Sequence, residues 1–216
     1  NDTHIHAVPL GLTQTAPDLA DLNPEQIVEC LDEYRAANPE EPFLIGHGWD
    51  YTFCPAPHRD ILDVHFPDLP VFLFQFSGHG MWTNTAGFEF MGLDKPRKNR
   101  KEEVMTDDAG SPTGIVREAG SNPRLRRQFR KQMTDPELIR GGLLRALPDL
   151  ARAGITSVQD NTWIKRPIAV LRDLRERGEL TCRFSCWPLG EVPLLGAWVS
   201  TAAFDHDWYH LGPRKY

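Results

Sequence analysis

The residues best equipped for chemistry stand at the start of the chain: Asp2-Thr3-His4-Ile5-His6. Polar and apolar residues alternate here, as in a strand, and side chains at i and i+2 of a strand project from one face. His4 and His6 would therefore present two imidazoles side by side, able to ligate one cation. Neutral imidazole suits Zn, Fe, Ni or Mn, and two ligands from one strand leave room for side chains of neighbouring strands. A divalent ion held this way acidifies a bound water and polarises a carbonyl, which is the equipment for hydrolysis. The Pro9-Leu10-Gly11 segment that follows reads as a loop, so the pair sits at a strand's carboxyl end, where catalytic groups gather in (β/α)8 barrels. The bland alternative is a surface H-x-H with no ligand.

Other polar groups carry two readings each. His79 and Asn84 follow a strand-like run and could line a substrate pocket; His79 fits equally well as a helix-start residue bonded to backbone. Trp82, with Trp49, could form an apolar pocket wall or simply fill the core. Asp160 ends a short apolar strand, either as a barrel-end functional group or as the N-cap of the next helix. Cys182 and Cys186 share a strand face but lack a second Cys pair or His at zinc spacing, so they read as small core residues. His206 and His210 lie at i, i+4 without the H-E-x-x-H pattern, beside Trp208-Tyr209, which suits a packed loop better than a metal pair. No G-x-G-x-x-G, Walker or G-x-S-x-G pattern occurs, which argues against a dinucleotide fold, a P-loop and a serine hydrolase.

The elements that must position these groups follow from local signals. Asn23-Pro24 is an N-cap followed by proline, and Ile27, Cys30, Leu31 and Tyr34 mark a core-facing helix stripe. Pro42–Ile45 leads into a short strand broken by Gly46 and Gly48. Residues 60–66 read as one or two helical turns, Pro70–Phe76 as a strand, and 82–92 as a short helix stopped at Gly92. Residues 94–123 read as loops with one strand, Gly114–Arg117. From 135 the texture changes. Asp135-Pro136 opens a long helix carried by Leu138, Leu143, Leu144, Leu147 and Leu150, and strands at 155–158 and 180–187 flank a helix over 168–177. Helix and strand in alternation imply βαβ units and a parallel sheet. The expected fold class is α/β, with residues 1–45 starting a barrel, 46–134 an inserted α+β domain, and 135–216 continuing the barrel.

Composition narrows the function classes. Of 216 residues, 40% are hydrophobic and 25% charged, which fits a folded domain and argues against disorder or a coiled coil. No apolar run approaches the ~20 residues that span a bilayer, and no secretory signal is visible. Four cysteines without C-x-x-C spacing suit reduced thiols in the cytoplasm. The net charge of −6 disfavours nucleic-acid binding by the chain as a whole. Two basic runs, 95–101 and 124–131, keep open a non-catalytic anion- or nucleic-acid-binding module. Their aromatics are not interleaved, so a solvated charge run is the simpler account. Self-association into a homo-oligomer is left open.

The ordered motifs resemble those of the amidohydrolase superfamily, and within it amidohydrolase family 3, which includes proteins similar to N-substituted formamide deformylase. The H-x-H resembles the first metal motif. Gly46-His-Gly-Trp49-Asp50 is similar to a Gly-Trp-Asp segment, and Asp63 through Val71 with Gly78-His79 and Asn84-Thr-Ala86 resembles the stretch that follows it. Gly110-Ser-Pro112-Thr-Gly114 and Gly154-Ile-Thr-Ser-Val158 complete the series. The resemblance implies a (β/α)8 barrel with an accessory β-sandwich and a domain inserted after the first strand. It also implies a divalent metal site, zinc foremost, of one or two ions, with Lys215 as the candidate for a carboxylated bridging ligand; otherwise Lys215 is a solvated lysine. The implied substrate is a small molecule with an amide or formamide C–N bond. Two further His and an acid–base Asp are expected beyond Tyr216, so the chain reads as part of a longer enzyme, inactive by itself.

Overall fold

The i, i+3, i+4 stripes and the alternating runs become helices and strands nearly where the residue patterns put them. The structure, a computed structural model, describes residues 1–94, 102–163, 167–188 and 207–211. In chain order the elements are β1 (Asp2–Ile5), α1 (Ala7–Thr13), α2 (Pro24–Ala37), β2 (Leu44–Trp49), α3 (Arg59–His65), β3 (Val71–Gln75), β4 (Gly80–Thr83) and α4 (Thr85–Met91). They continue with β5 (Glu103–Thr106), β6 (Pro112–Arg117), α5 (Pro123–Thr134), α6 (Pro136–Arg152), β7 (Ser157–Trp163), α7 (Pro167–Glu176), β8 (Arg183–Pro188) and β9 (Tyr209–Leu211). This mixed α/β chain divides into two compact units, Asn1–Gln14 with Arg130–Tyr216, and Thr15–Phe129. Among the described residues no helix is long and apolar enough to cross a membrane.

The first unit is built on a parallel sheet of order β1-β7-β8-β9. Helix α6 begins as its sequence dictates: Asp135 accepts the Glu137 backbone N–H at 2.9 Å, and Pro136 occupies the first turn, where no N–H is needed. Ile139, Leu143, Leu147 and Leu150 of α6 join Leu171 and Leu174 of α7 and Val158 and Phe184 of the sheet in one buried cluster. Leu138 and Leu144, expected on the same stripe, face outward at 38% and 36% exposure. The segment after β1 is a helix rather than a loop. Pro9 lies in the first turn of α1, where it costs no intrahelical bond, and Gly11 is small because α1 crosses α6 at backbone contact. A methyl group at Gly11 would lie 2.5 Å from the carbonyl carbon of Gly142 and 2.8 Å from its Cα.

The second unit is a five-stranded sheet of order β2-β3-β4-β6-β5, parallel between β2 and β3 and antiparallel elsewhere. Asn23 and Gln26 close a reciprocal capping box at the start of α2, and Ile27 and Leu31 pack with Leu44, Trp49, Leu73 and Trp82. A second cluster gathers Phe72, Met81, Phe88 and Val116. The helix expected over 82–92 starts only at Thr85, because Met81–Thr83 pair antiparallel with β3, and it stops at Gly92, whose φ of +67° takes the left-handed cap. The loop-rich stretch holds a hairpin, β5 and β6, rather than one strand. Both α2 and β2 pack within this unit.

Candidate functional site

Strand β1 stops at Ile5, and His6 turns the chain into α1 with φ −128° and ψ 73°. The rings of His4 and His6 lie edge to face, their centroids 5.3 Å apart at 83°. A Zn–N bond of about 2.0–2.1 Å puts a ligating ring's centroid about 3.2 Å from the ion, so two such rings at a tetrahedral angle are about 5 Å apart. The centroid spacing of the observed pair matches that of two rings sharing one divalent cation; His4 is exposed and His6 half-buried. Among the described residues no three His, Cys, Asp or Glu side chains form a complete metal cage. A metal held at this pair would need further ligands from elsewhere. Lys215 and His206 lie outside the described residues; His210 is exposed on β9.

The backbone around His6 is fixed on both sides. Asp160, fully buried on β7, accepts the Ala7 backbone N–H through Oδ2 at 3.0 Å. β1 and β7 pair in parallel with Ile5 opposite Asp160. Ala7 and Val8 are buried in the first unit's core, and Arg145 Nε donates to the Gly11 carbonyl at 2.7 Å. Asp160 thus caps a helix, but it is α1, reached across 153 residues, and not the helix after its own strand. No local pattern could have announced that contact. Cys186 lies opposite Asp160 on β8; burial, and then the Asp160 charge, push its thiol well above the ordinary range. Burial likewise pushes Cys182 up to about 11. At neutral pH both are uncharged core groups, as their sequence context suggests.

In the second unit His79 and Glu118 form an exposed pair, Nδ1 to Oε1 at 2.9 Å. Backbone bonds frame it: the Ser77 hydroxyl accepts the His79 N–H at 3.2 Å, and the His79 carbonyl accepts the Glu118 N–H at 2.8 Å. Glu118 adopts φ +52°, a left-handed conformation unusual for a residue with a side chain. With Tyr51, Gln75 and Arg117 the pair lines a cleft of about 210 Å³. The sequence offered no role for Glu118; the antiparallel β4–β6 register, with Gly80 opposite Arg117, brings it to His79.

Trp82 and Asn84 are not in that cleft. Trp82 is fully buried, its ring 6.1 Å from that of Trp49. Asn84 is a buried hub: Oδ1 accepts from the N–H groups of Val71 at 3.0 Å and Gly87 at 2.9 Å. Its Nδ2 donates to the carbonyls of Phe66 at 2.6 Å and Leu69 at 2.9 Å. Its amide is spent on holding β3 to α4. Of the basic runs, 95–101 lies outside the described residues. In the other, Leu125 is buried and the Arg124 guanidinium donates to the carbonyls of Glu89 and Phe90 at the end of α4, at 3.2 and 3.1 Å.

The profile of the Amidohydrolase family matches residues 1–214. Two solved structures resemble the chain, each of an uncharacterized metal-dependent hydrolase. The one from Pyrococcus horikoshii OT3 gives a TM-score of 0.57 at 23% identity, over 87% of this chain and 36% of that one. The one from Pyrococcus furiosus gives 0.54 at 25% identity, over 87% and 37%. The chain spans little more than a third of the length of these two proteins. Among curated proteins none matches.

Proposed function

The chain belongs to the amidohydrolase family, and from that premise we propose that it carries part of a metal-dependent hydrolase acting on the C–N bond of a small amide or N-substituted formamide. The observation that carries this reading is the His4–His6 pair, 5.3 Å apart at the carboxyl end of a strand in a parallel sheet. We read the first unit as part of a (β/α)8 barrel and the second as a domain inserted after the first strand. In support, β1 and β7 are parallel neighbours although the whole second unit lies between them in sequence. Likeness to the metal-dependent hydrolase from Pyrococcus furiosus supports the hydrolase part of the reading.

A divalent metal bound at the histidine pair, zinc as one ion or two, would supply Lewis acidity and lower the pKa of a coordinated water. His4 and His6 would hold it through one ring nitrogen each. The backbone of His6 is anchored by the β1–β7 pairing and by Asp160, which limits the freedom of its ring. Cys186, kept neutral by burial, does not compete as a thiolate. The resemblance implies that Lys215, carboxylated, would serve as a further metal ligand. We propose His79, paired with Glu118, as a polar contact for a small molecule in the second unit's own cleft. No nucleic-acid partner is needed, and the occupied Arg124 speaks against the basic run 124–131 as an anion site.

The test is hydrolysis of a panel of N-substituted formamides and simple amides by the full-length protein, before and after chelation. Amine release should vanish with the metal and return when a divalent ion is restored. Undiminished hydrolysis after complete metal removal would refute the proposal.

A further inference from the structure

We propose that Asp160 is a positioning residue for the His4–His6 pair, setting the backbone of His6 without touching the metal. The inference rests on the reading of those two histidines as ligands. His6 occupies the N-cap of α1, a place usually held by Ser, Thr, Asp or Asn, whose side chains cap the first free N–H groups of the helix. Histidine here makes no side-chain cap bond. The cap comes instead from the neighbouring strand, where the Asp160 carboxylate takes the Ala7 N–H at 3.0 Å. A fully buried carboxylate is costly unless hydrogen-bonded, and the Ala7 N–H it takes belongs to the first helical residue, which an N-cap side chain, bonding the second or third, leaves unmet. The bond from Asp160 therefore does what no local cap would do. It pins the residue after His6 to the strand beside β1, while the imidazole is spared capping duty.

The geometry separates positioning from ligation. Asp160 is not grouped with His4 and His6 in any three-residue metal cluster among the described residues. Its Oδ2 is committed to a main-chain N–H. At the far end of α1, Arg145 Nε holds the Gly11 carbonyl at 2.7 Å, so the helix that His6 leads is tied at both ends. Release of the Asp160 end would let the first turn of α1 drift, and His6 with it. Groups that orient metal-binding histidines from behind typically change metal affinity by about 10–100-fold when removed.

The experiment compares Asp160→Ala and Asp160→Asn with wild type in the full-length protein. Zn(II) affinity is measured by chelator competition, and hydrogen exchange of the Ala7 amide in the metal-free state. Asp160→Ala should bind Zn(II) about 10–100-fold more weakly and lose protection at Ala7. Asp160→Asn keeps an acceptor oxygen, so it should protect Ala7 and bind within a few-fold of wild type. Should the alanine variant fail to fold, Asp160→Ser takes its place, polar but too short to reach the amide. Two results overturn the proposal. One is wild-type Zn(II) affinity in a folded Ala or Ser variant whose Ala7 amide has lost protection. The other is an Asn variant that protects Ala7 yet loses as much affinity as Ala, which would make Asp160 a ligand. Wild-type protein that binds no metal, with Ala7 protection still dependent on Asp160, would overturn the ligand reading of His4 and His6 and this role with it.

Discussion

Replacing Gly11 by alanine sets two effects against each other. In an exposed helix the change stabilises by up to about 1 kcal/mol. At Gly11, however, the new methyl would lie 2.5 Å from the Gly142 carbonyl carbon and 2.8 Å from its Cα. Nearer still is the Gly142 carbonyl oxygen; all three are backbone atoms that cannot rotate aside, so α1 must retreat from α6 by well over an ångström to restore ordinary contact at about 3.4 Å. Forced repacking of this kind costs about 1–3 kcal/mol, and the retreat also loosens Ala7 and Val8 from Ile139 and Leu143 in the shared core. The upper end applies, and after the propensity gain a net loss of about 2 kcal/mol remains. Gly142→Ala is the control: its methyl would meet the Val8 carbonyl oxygen at 3.0 Å and Leu12 Cγ at 3.4 Å, which a shift of tenths of an ångström relieves. Its cost should stay within about 1 kcal/mol. Urea unfolding followed by far-UV circular dichroism measures both. Because His6 leads α1, Zn(II) affinity should fall alongside stability in Gly11→Ala. A Gly11→Ala protein as stable as wild type, or one less damaged than Gly142→Ala, refutes the reasoning.

Three further outcomes are expected. Asn84→Ala removes four buried hydrogen bonds and should destabilise the second unit by about 3–5 kcal/mol, read from the fluorescence of Trp49 and Trp82 in urea; lost turnover at full stability would instead give Asn84 a substrate role. Alkaline pH should weaken the fold, since unfolded thiols ionise near 9 while folded Cys54 and Cys182 hold their protons to about 11. Proton binding then favours the folded state less as pH rises past 9, so the urea midpoint should drop between pH 8 and 10, and drop less in Cys54→Ala/Cys182→Ala; an unchanged wild-type midpoint contradicts this. In a salt-titrated filter assay neither single-stranded nor duplex DNA should be retained at low salt, and retention abolished by Arg126→Ala/Arg127→Ala would restore the binding-module alternative.

Elements with local signals were legible in the sequence. Asn23-Pro24 and Asp135-Pro136 start helices because the cap and the proline act within one turn, and the apolar runs at 71–75 and 183–187 form strands. The parallel sheet followed from strand and helix in alternation. What escaped depends on distant partners. Pro9 and Gly11 look like a loop until Gly142 explains the glycine. Strand β5 has no apolar alternation of its own and exists through pairing with β6. In the candidate site the His4–His6 spacing could be read directly, whereas the Asp160–Ala7 bond and the Glu118 partner of His79 are tertiary facts. Asn84 shows the same limit: its residue type fits a pocket as well as a cap, and only its four partners reveal the cap.

The most direct test of the account is His4→Ala in the full-length protein, with metal content measured by elemental analysis and hydrolysis measured on the same sample. Both should be lost while the circular dichroism spectrum stays that of the wild type. Normal hydrolysis from a folded, metal-free His4→Ala protein would contradict the account at its centre.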